Sequence, residues 1–249
     1  MAVHLYGVTT ADAPRPPELK GRRDEPIRLV SDDELAVIVS DVDAVASAGR
    51  SDLLAHAHVL EAYVEHATVI PMQFGVVLPH DDVVREQLLE DDREQLLMLL
   101  ELFDGQVQLT VQGVHHEEPA LREVLRRSPA LMSERERLRG LPEDLDQEHQ
   151  LRLGQAVEAA LLELQAEDRE MILDRLAPMA LAVADNDTPG AHEVINAAFL
   201  VERDSRETFD VAVGELRRDV EARIRLRYVG PQPPYSFLDA AQAGELAWG

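Results

Sequence analysis

Apolar positions recur along this chain with two different periods, and the places where one period gives way to the other mark its elements. The densest apolar stretch is Thr68 to Leu78, TVIPMQFGVVL, with a proline near its start and a glycine near its end. Amphipathic helical patterns run into it and away from it. It is therefore expected to be a central strand covered on both faces. Val69, Phe74, Val76 and Leu78 would hold the core, while Pro71 and Gly75 set how the chain enters and leaves the sheet.

Before that stretch, Val3 to Thr9 reads as a strand and Ala11 to Pro26, rich in proline and charge, as a mobile loop. Ile27 to Val30 and Leu35 to Val39 are β-branched runs joined by Ser31-Asp32-Asp33-Glu34, expected to be a solvated turn. Ser51 and Asp52 can cap a helix with Leu53, Ala57, Leu60 and Val64 on its stripe. After Pro79, one helix is expected from Asp81 to Phe103, closed by Asp104-Gly105.

From Gln106 the pattern alternates: Val107, Leu109 and Val111 share one side, and Gln106, Gln108 and Thr110 the other. Glu117 to Gly140 reads as a salt-bridge-laced helix, and Asp144 to Leu176 after Pro142 as a long one striped by Leu153, Val157, Ala160, Leu161, Leu164 and Met171. Such lengths suit an α-helical hairpin or short coiled coil. Ala180 to Ala184 and Glu193 to Val201 form a hairpin about the turn-rich Asp185 to Gly190. A helix with Phe209, Val213, Leu216 and Val220 inward follows. Arg223 to Tyr228 then places Ile224, Leu226 and Tyr228 inward and Arg223, Arg225 and Arg227 outward.

The fold class expected is α+β. An N-terminal α+β sheet domain, 1–104, precedes a ferredoxin-like βαββαβ domain, 105–249, with an enlarged, coiled-coil-like helical insertion at about 116–177 and an extended tail at 230–249. In that topology the first and last strands are neighbours, so Gln106, Gln108 and Thr110 would lie beside Arg223, Arg225 and Arg227. That open amide and basic face is either a docking surface for a partner or for the other domain, or a solvated sheet face.

Charge and composition narrow the function. The 249 residues carry a net charge of -24, which argues against nucleic acid and anionic membrane surfaces as partners. No cysteine is present, so disulfides, thiolate zinc sites and Cys nucleophiles are excluded, in keeping with a cytoplasmic location. No run approaches the ~20 apolar residues of a membrane span, and MAVHLYGVTT is not expected to be a signal peptide.

Catalytic and metal motifs fail on inspection. Phosphate loops and the G-x-S-x-G elbow are missing. His56 and His58 are two apart on a helix and point to different sides, so His56 is read as a packed histidine. His115-His116-Glu117-Glu118 reads as a strand-to-helix link, and His192 to Asn196 has asparagine where a zincin needs histidine. Asp185, Asp187 and Gly190 resemble a calcium loop, but Asn196 stands in the bidentate place. Asp81-Asp82 and Asp91-Asp92 read as solvating acids. No cofactor, metal or catalytic residue is assigned.

The ending Gly230 to Phe237, GPQPPYSF, has three prolines and is expected to run extended, with Pro233 and Pro234 rigid and Tyr235 and Phe237 packed. LYGV (Leu5 to Val8), LLAHAHVLEA (Leu53 to Ala62), VIPMQFGVVL (Val69 to Leu78) and this ending together resemble the gas vesicle protein family of the L and F type, in the family's order. The resemblance implies a non-enzymatic minor protein of gas vesicle assembly. It also implies contact with the small apolar shell protein, and with other gas vesicle accessory proteins, rather than catalysis. The alternative is a general protein-binding adaptor or chaperone-like factor; an enzyme on a ferredoxin-like scaffold stands behind both.

Overall fold

The computed structural model describes residues 1–43, 49–139, 147–186, 190 and 192–244. Among them the chain forms an α+β protein with two antiparallel sheets and eight α-helices. No helix among these residues is long and apolar enough to cross a membrane. Two compact units arise: Met1–Leu109 with Phe199–Arg206 and Val229–Gly249, and Thr110–Ala198 with Glu207–Tyr228. Packing thus groups separated segments, where the sequence pattern suggests contiguous halves.

The first unit is organised on β1 (Ala2–Thr10), not on the apolar stretch at Thr68 to Leu78. Its sheet runs β2 (Arg28–Ser31), β3 (Leu35–Val42), β1, β4 (Ile70–Pro71), and β5 (Val77–Leu78) also pairs β1. The expected central strand is therefore two short edge pieces. Pro71 supplies no donor, and Gly75 at φ +99° turns the chain between them. Val69 and Ile70 are buried, Phe74, Val76 and Leu78 are only half-buried, and Val77 is exposed.

A register shift between Leu5 and Gly7 bulges β1 at Tyr6. Opposite it, β4 comes so close that a Cβ on Gly7 would lie 2.8 Å from the Ile70 carbonyl oxygen. The helix α1 (Arg50–Val64) packs here, but its buried face is Asp52, His56, Val59, Leu60, Tyr63 and Val64, while Leu53 is exposed. Apolar spacing alone misplaced this face because two of its members are polar.

The segment 11–26 is not a free loop. Lys20 bridges Pro26, and the Arg22 backbone N–H donates to the Tyr6 hydroxyl at 2.9 Å. The acidic turn at 31–34 is likewise held: Asp32 Oδ1 accepts the Glu34 and Leu35 N–H groups at 2.8 and 2.7 Å, and Arg93 pairs with Asp32 and Glu34. The helix expected from Asp81 to Phe103 is three pieces, α2 (Asp81–Val84), a π-helical turn (Arg85–Asp91) and α3 (Arg93–Leu102). Asp81 is not merely solvating, because it takes Arg28 Nη1 at 2.7 Å.

The second sheet has the order β7 (Ala182–Asp185), β8 (Glu193–Glu202), β6 (Gln106–His115), β9 (Ile224–Gln232). Between β6 and β7 come α4 (Glu117–Arg127), α5 (Pro129–Arg139) and α6 (Gln147–Leu176). Ala120, Val124 and Leu164 form their buried centre, with Leu131, Ala160 and Leu161 against it. Glu123 takes Arg126 and Arg127, and Arg127 also reaches Glu167 at 2.5 Å, the ion-pair lacing that the sequence suggests. Gly140, Pro142 and Asp144, and Asp187 to Pro189 of the calcium-like turn, lie outside the described residues. The amphipathic α7 (Arg206–Val220) buries Phe209, Val213, Leu216 and Val220 as its spacing predicts, and α8 (Leu238–Gln242) closes the described chain.

Candidate functional site

The sheet face expected to be open is mostly closed. Gln108 and Thr110 are buried, and Gln108 Oε1 accepts the Ser236 backbone N–H at 2.8 Å. Gln106 turns its Nε2 to the Leu102 carbonyl at 3.1 Å. Antiparallel register also separates the two groups of residues. A Cβ on Gly230 would meet Leu109 and the Gln108 carbonyl oxygen, whereas the His116 N–H donates to the Arg223 carbonyl at 2.8 Å. Arg223 therefore lies at the far end of β6 from Gln106 and Gln108. Only Arg225 and Arg227 stand exposed, on the edge strand β9.

The tail returns to Gln108. Gly230 has φ +146° and precedes a cis peptide to Pro231; Pro233, Pro234 and Phe237 are buried, and Tyr235 is 41% exposed. Alternation identifies the polar side of β6 but carries no sign of a tail returning over it.

Two buried polar groupings were invisible to local spacing. In the first unit, His4 Nε2 lies 3.0 Å from His56 Nδ1, and His56 Nε2 lies 3.2 Å from the Met72 carbonyl. A carbonyl only accepts, so a neutral His56 carries its proton on Nε2, and His4 donates from Nε2. His4 Nδ1 is buried and makes no hydrogen bond of normal geometry, although the Val76 carbonyl lies near enough to favour the protonated ring. Burial first, then the neighbouring His56 and Arg22, lower the His4 pKa from 6.5 to about 4. Phe74 meets both rings edge-on at 5.8 and 5.6 Å, and Arg22 lies 5.7 Å over it and 3.4 Å from Asp52. His56 is thus the packed histidine expected, and His58 is exposed.

In the second unit, His115 is the last residue of β6. Its Nε2 lies 2.7 Å from Asp168 Oδ2, and Arg223 binds the same carboxylate through Nε at 2.9 Å and through Nη2. Burial alone would raise the Asp168 pKa, but the hydrogen bonds from His115 and Arg223 prevail and hold it below the usual value. Asp168 sits between Leu164 and Ile172 at spacing four on the inner stripe of α6, and an acid on an apolar stripe is the one sequence signal that could have found it. The hydroxyls nearest the histidine pair, Tyr6 and Ser40, are hydrogen-bonded to each other at 2.9 Å. Among the described residues, no group of three or more acidic, histidine or cysteine side chains could hold a metal ion.

The first unit also carries an open cleft of about 720 Å³, lined by acids, leucines and Arg203. The sequence pattern gave no hint of it, because its walls come from the end of β1, the stretch before β4, α3 and the turn after β8.

The comparisons with known proteins agree with this architecture. The family described as gas vesicle synthesis protein GvpL/GvpF matches residues 2–239. A gas vesicle protein F from Streptomyces sp. (strain CB03234) is 34% identical over 244 residues, covering 96% of this chain and 100% of that protein. Gas vesicle protein F from Microcystis aeruginosa (strain PCC 7806) is 27% identical over 95% of this chain and 98% of its own. The crystal structure of GvpF from Anabaena sp. PCC7120 superposes with a TM-score of 0.79 at 25% identity, over 95% of this chain and 97% of that one. By the extent of the family match and the near-complete alignment with gas vesicle protein F, the chain belongs to the GvpL/GvpF family of gas vesicle proteins.

Proposed function

We propose that this chain is a non-enzymatic, cytoplasmic component of gas vesicle formation that binds the small apolar shell protein and supports assembly of the vesicle wall. The observation that carries this reading is the family match over residues 2–239, joined by likeness to gas vesicle protein F along nearly the whole length. Other gas vesicle accessory proteins are further partners under the same reading.

The architecture offers a means of capture. The order β6, three helices, β7, β8, α7, β9, with spatial order β7-β8-β6-β9, is what a ferredoxin-like βαββαβ domain with a helical insertion would give. Its edge strand β9 bears the exposed Arg225 and Arg227 beside backbone groups open to pairing. A strand of a polymerising apolar subunit can add to such an edge, with the arginines meeting acidic side chains of the addition. Removing this chain from a gene set that otherwise forms gas vesicles tests the assembly role. Loss of vesicles by electron microscopy, restored by the wild-type chain, is the expected result; undiminished vesicle number would overturn it.

A further inference from the structure

We propose that the cleft in the first unit is a docking site for a partner segment of mixed charge, in which Arg203 takes a carboxylate and Asp12 and Glu101 take a nearby basic side chain. Arg203 is fixed at its backbone, where its N–H donates to the Gly105 carbonyl at 2.7 Å. Its Nε and Nη2 are shut off from water and have no hydrogen-bond acceptor. No carboxylate among the described residues forms an ion pair with it, in a chain where most other buried or half-buried arginines, such as Arg28, Arg93 and Arg223, are paired.

An ionised guanidinium with two unmet, water-excluded donors is an unfavourable arrangement. Nε and Nη2 form one edge of the planar group, the edge that a carboxylate engages with two parallel hydrogen bonds. Arg203 lines the cleft, and engaging the bound segment requires its side chain to turn that edge toward it. The cleft, at about 720 Å³, has room for several residues of an extended peptide.

The remaining lining selects the ligand. Asp12, Glu101 and Asp104 face the same space, so the cleft is net acidic in a chain already at -24. A small free anion would be repelled by that field. Asp104 is partly committed, since its Oδ1 accepts the Thr68 hydroxyl at 3.2 Å, but Asp12 and Glu101 are exposed and form no ion pair among the described residues. A ligand that satisfies all of these brings a carboxylate for Arg203, an ammonium or guanidinium for Asp12 and Glu101, and apolar surface for Leu97 and Leu100. A protein segment meets that description. The inference rests on the first unit alone and stands or falls independently of the shell-protein reading.

Fluorescence polarisation with capped six-residue peptides tests it. The probes carry one glutamate and one lysine two to four positions apart around a leucine, with controls in which the glutamate, the lysine or both become glutamine. The expected result is saturable binding of the mixed-charge probe, weakened at least about tenfold by removing its glutamate. R203Q should bind weakly and no longer distinguish glutamate from glutamine, while the surface double variant D12N/E101Q should lose only its preference for lysine. That double variant keeps the test valid if R203Q fails to fold. Equal affinity for all probes, no saturable binding, or free glutamate binding as tightly as the peptide would each overturn the proposal.

Discussion

His115, at the end of β6, and Asp168, on the inner stripe of α6, are 53 residues apart in sequence and 2.7 Å apart in the fold, with Arg223 closing the same carboxylate from the turn just before β9. The grouping pins the long helix to one end of the sheet. Over its 30 residues α6 would reach roughly 45 Å, and this pin acts beside the apolar packing of Leu164, Ile172 and Leu176.

Asp168→Ala leaves His115 buried without its partner and Arg223 half-buried without its counter-charge. Breaking a buried pair costs about 3 kcal/mol, and the exposure of Arg223 places the expected loss at or somewhat below that figure. Urea unfolding followed by circular dichroism measures it. The native Asp168 pKa lies below its unfolded value, so the contribution is full above about pH 4 and declines as pH falls through the native value. Asp168→Asn should flatten that acid limb.

The His4 and His56 pair acts in a different pH window. His4 titrates at about 4 in the fold and near 6.5 when unfolded, so between those values the unfolded chain binds more protons. Stability should therefore be highest above pH 6.5 and fall by up to about 3 kcal/mol toward pH 4. Denaturation midpoints taken at half-unit steps from pH 8 to pH 4.5 read this slope. His4→Phe should flatten it substantially, leaving the part due to His56, whose pKa burial also lowers.

Gly21 is demanding although its backbone is not left-handed. A Cβ there would stand 2.1 Å from the Tyr6 hydroxyl oxygen, and Tyr6 is fully buried with Ser40 Oγ at 2.9 Å. Gly21→Ala must displace either the turn or the ring, at a cost of about 1–3 kcal/mol by overpacking. Thermal unfolding should show the loss, and Tyr6→Phe combined with Gly21→Ala should recover part of it.

Phe74 is half-buried, so its truncation should cost less than that of a fully buried ring, about 2 kcal/mol. Its removal also opens the histidine pair to water, which predicts a His4 pKa shifted upward toward 6.5. Histidine ring resonances followed by NMR titration report that shift; an unchanged titration would show that Phe74 does not shield the pair.

Much of the fold was legible because it rests on local periodicity. The alternation of β6, the stripe of α7 and the hairpin of β2 with β3 all stand where residue spacing puts them. What escaped depends on distant polar pairs. His4 with His56, and Asp168 with His115, leave no pattern within a window of a few residues. The stretch at Thr68 to Leu78 misled for a related reason: its apolar content signals burial, but Pro71 and the left-handed Gly75 decide that it pairs only in short pieces at an edge. Of the surface expected around Gln106, Gln108 and Thr110, the GPQPPYSF ending meets Gln108, and Arg225 and Arg227 are the exposed members of that set.

Those two arginines give the sharpest mutational test of β9 as a capture edge. Charge reversal at both, R225E/R227E, leaves the buried face of the strand intact and should change stability by less than about 0.5 kcal/mol. It should reduce capture of an acidic or edge-pairing strand several-fold in a binding assay, and equal capture by the variant would remove β9 from the account.

Direct binding of the shell subunit is read by co-purification from cells expressing only this chain and that subunit. The tagged, folded chain should retain the shell subunit through a salt wash. A folded chain that emerges without it would overturn the proposed binding.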